Sequence, residues 1–188
     1  MKRKSEHILS EWLVINAQMG DNRALSQLYT LWQPKLLRYA KRQLGHTGQA
    51  EDIVQNVFEL MLKKINGVKD PAAFPSWIYQ ILHRQCVNTI RKLQRDRHNT
   101  EQDTLEHEAQ HKAASHHQYC ENTEKVHFEN ALASLSPQQY SLVHLFYLEG
   151  LSIAEISKTL DVAAGTVKSR LHSARKSLKP KLEEPDNG

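Results

Sequence analysis

The sequence is poor in the features that mark membrane and secreted proteins. None of its apolar runs approaches the ~20 residues that span a bilayer, and its basic N-terminal stretch is followed only by short apolar runs. The two cysteines, Cys86 and Cys120, have neither disulfide-framework nor metal-site spacing. We therefore expect a cytoplasmic protein that is neither exported nor inserted into a membrane.

The motifs of an enzyme are missing too. No nucleophile with its base, no paired carboxylates and no glycine-rich phosphate loop stands out among the 188 residues. We therefore predict no catalytic residue, no cofactor and no metal site.

Strand patterns are also missing. No run alternates polar residues with Val, Ile or Thr, whereas apolar residues recur at three- and four-residue steps over 10–44, 50–65 and 76–90. This spacing predicts an all-α protein. We expect Asp21 and Ser76 to be helix N-caps, and Pro34 to kink or break the first helical stretch.

Residues 151–178 have the pattern of two short helices on a tight turn. Ser152 and Glu155 form a capping box at the first helix, and Asp161 is a short polar residue suited to the turn. The second helix opens near Ala164. Its apolar stripe consists of Val167, Leu171, Ala174 and Leu178.

Between residues 163 and 181 every charged side chain is basic. These side chains are Lys168, Arg170, Arg175, Lys176, Lys179 and Lys181. Unopposed cations on one helix suit a phosphate backbone, because each neutralised phosphate releases counterions. In a helix-turn-helix the second helix enters the major groove, so the pattern predicts a DNA reader.

A third helix precedes this pair. Ser136, Pro137 and Gln139 combine an N-cap, a proline at the first helical position and a capping-box partner. Its buried side is expected to carry Tyr140, Val143, Phe146 and Tyr147. The three helices should form one compact unit.

A polar row lies on the helix over 50–65. Asp52, Gln55 and Glu59 share one face of this helix, opposite its apolar residues. Periodicity alone favours a solvated surface for this row.

The helix after residue 76 ends in a basic segment. Its basic residues, which outnumber Asp96, are Arg84, Arg91, Lys92, Arg95 and Arg97. The aromatic residues Phe74, Trp77 and Tyr79 lie just upstream. Aromatic rings beside cations can stack on unpaired bases and hold their backbone, although we assign Trp77 to the core.

Residues 98–126 are acidic and poor in apolar side chains, which predicts a flexible polar linker between domains at 10–97 and 127–182. The histidines of this segment are His98, His107, His111, His116 and His117, with Cys120 nearby. A metal- or haem-responsive sensor built on these histidines is one alternative, and a polar linker with adventitious histidines is the other.

Several stretches together resemble one family. The stretches that carry this resemblance are AEDIVQNVFELML, FPSWIYQILHRQCVNTIRKLQRDR, and LSIAEISKTLDV followed by GTVKSRLHSARKSL. They are similar to the extracytoplasmic-function (ECF, group 4) sigma-70 family of bacterial RNA polymerase sigma factors. The resemblance covers roughly 24–95 and 131–181 in the family's order. It implies a sigma-2 helical bundle, a sigma-4 helix-turn-helix, and a role in directing core RNA polymerase to promoters of a stress- or signal-responsive regulon.

The resemblance also implies site residues and partners. Core polymerase would be contacted by Asp52, Gln55, Phe58 and Glu59. The minus-10 element would be contacted by Phe74, in the loop before its helix, and by Arg84, Asn88, Arg91 and Lys92. The minus-35 element would be contacted by Lys168, Ser169, Arg170, His172, Ser173, Arg175 and Lys176. Family members also have anti-sigma factors, often membrane-anchored, so the expected partners are core RNA polymerase, promoter DNA and an anti-sigma factor.

The resemblance leaves base preference open, because Arg84, His172 and Ser173 depart from the family's usual residues at these positions. A conventional helix-turn-helix activator is the alternative function. Such a protein would bind a palindromic duplex by itself, without core polymerase.

Overall fold

The computed structural model describes residues 4–45, 48–100, 128 and 130–183, and these residues contain helices and turns but no strand. The numbered helices are α1 (Ser5–Gln18), α2 (Asn22–Leu44), α3 (Ala50–Lys64), α4 (Phe74–Thr100), α5 (Pro137–Val143), α6 (Ile153–Leu160) and α7 (Ala164–Glu183). Residues 130–133 are helical as well. The all-α prediction is confirmed. No helix in these ranges has the length and apolar character that crossing a bilayer requires.

The N-terminal half, residues 4–100, packs around Trp32 of α2. This side chain is fully buried, and its indole Nε1 donates a hydrogen bond of 2.9 Å to Ser10 Oγ of α1. The edges of Phe74 and Tyr79, both on α4, meet the Trp32 ring at centroid distances of 5.7 and 5.9 Å. One aromatic residue therefore joins three helices.

The expected break at Pro34 does not occur, because α2 runs from Asn22 to Leu44 through this residue. Pro34 is exposed, whereas Trp32 and Leu36 on either side of it are fully buried. Packing of the buried face holds the helix together, and the missing backbone donor lies toward solvent. The N-cap prediction is confirmed, since Asp21 accepts a hydrogen bond from the backbone of Arg23.

The predicted cap at Ser76 is wrong. A short 3₁₀ turn over Pro71–Ala73 leads into α4, and Asp70 caps that turn by accepting from the Ala72 amide at 3.1 Å. Ser76 lies inside α4 and its hydroxyl donates to the carbonyl of Ala73. Asp followed by Pro is itself a helix-start signal, which lies six residues upstream of the predicted cap.

In the C-terminal half, residues 128–183, the predicted capping box at Ser136 and Gln139 is confirmed. The helix then widens, because His144–Leu148 forms a π-helical turn in which the Glu149 amide donates to the His144 carbonyl at 2.9 Å. Such a turn holds an extra residue and shifts the side chains that follow. Tyr147, predicted to be buried, is therefore 44% exposed.

The helix-turn-helix follows the prediction closely. Ser152 and Glu155 form the capping box of α6, and Asp161 makes the turn in the left-handed region at φ 55° and ψ 48°. Ser157 secures the turn, since its hydroxyl donates to the Val162 carbonyl at 2.6 Å. The stripe buried beneath α7 consists of Val167, Leu171, Ala174 and Leu178.

The two halves pack against each other, which the sequence did not predict. One cluster of buried apolar residues extends through both of them. α4 lies against α6, and the C-terminal part of α2 lies against α5. Their predicted boundaries, 10–97 and 127–182, stay predictions. His107, His111, His116, His117 and Cys120 lie outside the described residues, as does most of the predicted linker.

Candidate nucleic-acid and polymerase interfaces

The basic face of α7 is open to solvent. All seven residues predicted to contact the minus-35 element are exposed, namely Lys168, Ser169, Arg170, His172, Ser173, Arg175 and Lys176. The apolar stripe of α7 packs inward, so the helix is fixed with its cations outward. This is the arrangement that a recognition helix needs.

Arg175 is held in place by two aromatic residues. Its guanidinium carbon lies 5.9 Å from the centre of the Phe146 ring and 5.4 Å from that of Tyr147. Its Nε also donates a hydrogen bond to the Tyr147 hydroxyl. These cation–π contacts orient the cation before any DNA is bound. The sequence reasoning missed them, because the π-helical turn exposes Tyr147.

The polar row of α3 is exposed, as its helical periodicity predicts. Asp52, Gln55 and Glu59 face solvent, whereas Phe58 is buried and packs against Tyr29, with the two rings tilted by 48° at a centroid distance of 4.5 Å. Tyr29, which the sequence analysis did not single out, is 49% exposed. An outside partner would therefore meet Tyr29 before Phe58.

Glu51 adds another carboxylate to this surface. It is exposed and pairs with Lys41 of α2 at 2.9 Å. The hydrogen bond from Lys41 holds the pKa of Glu51 below its ordinary value. The α3 surface is thus acidic at its N-terminal end.

α4 presents a second exposed polar face. Arg84, Asn88, Arg91 and Lys92 are all exposed, and their spacing of four, three and one residues places them on one side of the helix. Phe74 is different. It is the first residue of α4 and fully buried against Trp32 and Trp77, so in this conformation its ring cannot meet a base. The expectation that Phe74 lies in a loop is wrong.

A cleft of about 680 Å³ separates parts of the two halves. His83 and Val87 of α4 line one side of the cleft, and Pro137 of α5 and Arg170 of α7 line the other. Arg170, a predicted DNA contact, is therefore at the boundary between the halves.

A buried polar cluster also joins the two halves. The Tyr79 hydroxyl lies 2.9 Å from His144 Nε2, which is 3.5 Å from Glu149 Oε1. The other carboxylate oxygen of Glu149 lies 3.9 Å from His7 Nε2 of α1. Glu149 and His144 come from the C-terminal half, and His7 and Tyr79 from the N-terminal half.

Burial sets the protonation of this cluster. Burial and, after it, the positive charges of Arg38 and other basic residues lower the pKa of His144 to about 4, although Glu149 acts in the opposite direction. Burial would raise the pKa of Glu149, but the nearby His7 side chain and the Lys35 ammonium help to hold it below its ordinary value. At neutral pH the cluster therefore holds a carboxylate and a neutral His144.

A helix-turn-helix whose second helix carries its basic side chains outward is the arrangement of a DNA-binding protein. The model of one family, described as ECF sigma factor, matches residues 7–184. The chain belongs to the ECF sigma factor family. As an RNA polymerase sigma factor it acts in transcription initiation and directs core RNA polymerase to promoters, and its family is one of non-enzymatic initiation factors.

Curated relatives and solved structures agree with this assignment. The chain is 25% identical over 172 residues to the ECF RNA polymerase sigma factor SigW of Bacillus subtilis, covering 88% of this chain and 92% of SigW. It is 26% identical over 187 residues to the ECF RNA polymerase sigma-E factor of Escherichia coli K12, covering 95% and 97%. The sigma factor RpoE of Bartonella quintana, solved with the anti-sigma factor NepR, is similar in structure with a TM-score of 0.64 at 26% identity, covering 84% of this chain and 96% of RpoE.

Proposed function

We propose that the two halves of this sigma factor divide its work. The N-terminal half docks on core polymerase through the exposed row of α3 and binds the minus-10 element through the basic face of α4. The C-terminal half binds the minus-35 duplex through α7. The observation that carries this proposal is the opposite charge of two exposed faces, an acidic one on α3 and a basic one on α7.

The acidic face of α3 is suited to a protein partner rather than to DNA. Asp52 and Glu59 are carboxylates, and Glu51 extends the negative surface at the N-terminus of the helix. A phosphate backbone would be repelled by this face. A partner with basic side chains would be attracted to it and steered by it.

The α4 face is suited to nucleic acid. Arg84, Arg91 and Lys92 supply positive charge, and Asn88 between them can read a base edge. We leave Phe74 out of this site because its ring is buried.

On α7, the cations contact phosphate and the N-terminal residues approach base edges. Lys168 and Ser169 lie nearest the start of the helix, where recognition helices meet the bases. Arg175, oriented by Phe146 and Tyr147, lies two turns further on, where it can meet a phosphate or a guanine.

An anti-sigma factor is the proposed inhibitor. The Bartonella quintana relative was solved in complex with one. The protein would act in the cytoplasm, together with core polymerase and promoter DNA.

Polymerase capture tests the α3 assignment. Immobilised core polymerase should retain the double variant Asp52→Ala and Gln55→Ala more weakly than the wild type, by about tenfold if the row forms the centre of the contact. The control Lys64→Ala removes another exposed charge of α3 and should be captured normally. Unchanged capture of the double variant, with its helical content intact, would show that the row is ordinary surface.

Duplex binding at several salt concentrations tests α7. Arg175→Ala should weaken binding to a minus-35 duplex and reduce the slope of log affinity against log salt by about one, the signature of one lost phosphate contact. Lys64→Ala, which removes a cation far along the chain, should keep the wild-type slope. Equal affinity of the Arg175 variant at every salt concentration would remove this residue from the site.

A further inference from the structure

The first helix, α1, has two apolar faces. Its inner face packs into the core through Leu13, Val14 and Ala17, which are all buried. Its outer face and the residue that ends the helix expose five large apolar side chains, namely Ile8 (55% exposed), Leu9 (46%), Trp12 (57%), Ile15 (41%) and Met19 (72%). These are half of the ten large apolar side chains that are exposed in the described part of the chain, so they form a patch rather than the scattered apolar residues of an ordinary surface.

Four of these side chains form a straight ridge. Ile8, Trp12, Ile15 and Met19 follow one another at steps of four, three and four residues. At about 100° per residue these positions lie within about 60° of the helix circumference. A stripe with this alternation is the seam through which one helix packs side by side against another. The α1 ridge, defined by these four residues, therefore fits a helical partner.

The borders of the α1 ridge have no net charge. Lys4 and Glu11 lie along one border and are opposite in sign, whereas Ser5 and Asn16 lie along the other. The ridge therefore lacks the excess of cations by which α7 would attract a phosphate backbone. A second copy of the same ridge would meet no repulsion at this surface, although the whole protein has a net charge of +4.

The exposed area of the patch is enough for a weak dimer. Its side chains expose about 100 Å² each, which gives about 500 Å² per copy. Two copies that cover the patch would bury about 1,000 Å² in total, close to the smallest area of a specific interface. Permanent dimers bury about 2,000 Å² or more, so we expect a reversible contact with a dissociation constant of about 10 µM.

The α1 ridge is complementary to itself when two copies run antiparallel. Its steps read the same in both directions, so a two-fold axis between Trp12 and Ile15 brings two ridges into register. Trp12 of each copy then lies opposite Ile15 of the other, and Ile8 lies opposite Met19. Each of the four layers pairs an isoleucine with a larger side chain, and the symmetry closes the assembly at two copies.

We propose that the α1 ridge is a homodimerisation surface through which two copies of this sigma factor pack antiparallel. A helix of 14 residues is marginal by itself in water, but α1 is held in place by the core, partly through the hydrogen bond from Trp32 Nε1 to Ser10 Oγ. Association therefore orders only the exposed side chains. The proposal is independent of the division of promoter contacts between the two halves.

Sedimentation velocity of the free protein between about 1 and 100 µM, with a thiol reductant to exclude disulfide-linked dimers, tests this surface. The wild type should change from monomer to dimer across this range. Trp12→Lys puts an ammonium group into two of the four layers, so its dimer should be at least about tenfold weaker. Leu62→Lys is the matched control, because it makes the same change at an exposed apolar residue of α3 and should leave dimerisation unchanged.

Mixing two variants tests the antiparallel orientation. Ile15→Glu by itself should dimerise as weakly as Trp12→Lys, because it places a carboxylate opposite each Trp12. In an equimolar mixture of the two variants, the new ammonium of one copy faces the new carboxylate of the other, and a second layer keeps its native pair. Dimers of one copy of each variant should therefore form in the mixture.

Three results would overturn the proposal. A wild type that stays monomeric at about 100 µM would leave the ridge to a helix of a different protein. A Trp12→Lys dimer as strong as that of the wild type would place the contact elsewhere on the molecule. A mixture that stays monomeric, although both variants keep the helical content of the wild type by circular dichroism, would contradict the pairing of Trp12 with Ile15.

Discussion

Acid should destabilise the folded protein through His144. Burial lowers the pKa of this imidazole from 6.5 to about 4, so the folded state prefers the neutral ring. In the unfolded chain the ring takes up a proton once the pH falls below about 6.5. The part of the free energy of unfolding that depends on the neutral His144 ring is therefore intact above pH 6.5 and is lost as the pH falls toward 4.

The size of the effect follows from the two pKa values. At pH 5.0 protonation of His144 in the unfolded state raises the unfolding equilibrium constant about thirtyfold, because the folded state is almost unaffected. This factor corresponds to a loss of about 2 kcal/mol in the free energy of unfolding. The lowered pKa of Glu149 changes the free energy of unfolding little at pH 5.0. At that pH its carboxyl is ionised in the folded state and mostly ionised in the unfolded state.

Urea unfolding at pH 7.5 and pH 5.0 measures this loss. The matched variant is His144→Gln, because the amide of Gln can occupy the position of Nε2, which bonds Tyr79, whereas Nδ1 has no hydrogen-bond partner among the described residues. Between the two pH values the wild type should lose about 2 kcal/mol more than the variant. The same loss in both proteins would refute the burial argument for His144.

Three smaller predictions concern local features. Ser152→Ala removes the N-cap of α6 and should lower the free energy of unfolding by about 1 kcal/mol in urea titrations; no change would mean that the capping box is not a stabilising contact. Asp161→Val places a β-branched residue in the left-handed turn and should cost about 1–2 kcal/mol, whereas Asp161→Gly should be tolerated, and equal stabilities would argue against this geometry. Burial raises the pKa of the Cys86 thiol to about 12, so in a Cys120→Ser protein a thiol reagent should label Cys86 only during unfolding; rapid labelling in native buffer would contradict its burial.

Features fixed by neighbouring residues could be predicted from the sequence. The capping boxes at Ser136 and Ser152, the turn at Asp161 and the apolar stripe of α7 all depend on contacts within a few residues, and the structure contains each of them. The same holds for the exposure of the α3 row, which follows from helical periodicity.

Features that depend on distant contacts could not be predicted in this way. Pro34 is tolerated because Trp32 and Leu36, on either side of it in the helix, are buried against residues far along the chain. Tyr147 is exposed because of a π-helical turn, a local geometry that periodicity at 3.6 residues does not anticipate. Phe74 and Glu149 are buried by elements that are distant in sequence, and a single polar residue near a helix end gives no sign of such burial.

Run-off transcription with purified core RNA polymerase tests the sigma function most directly. Genomic promoter fragments are transcribed with and without this protein, and the transcripts are mapped. We predict discrete transcripts that require the protein, with shared upstream elements centred about 10 and 35 base pairs before the start sites. If no transcript requires the protein although it binds a palindromic duplex alone, the account is contradicted and a conventional activator takes its place.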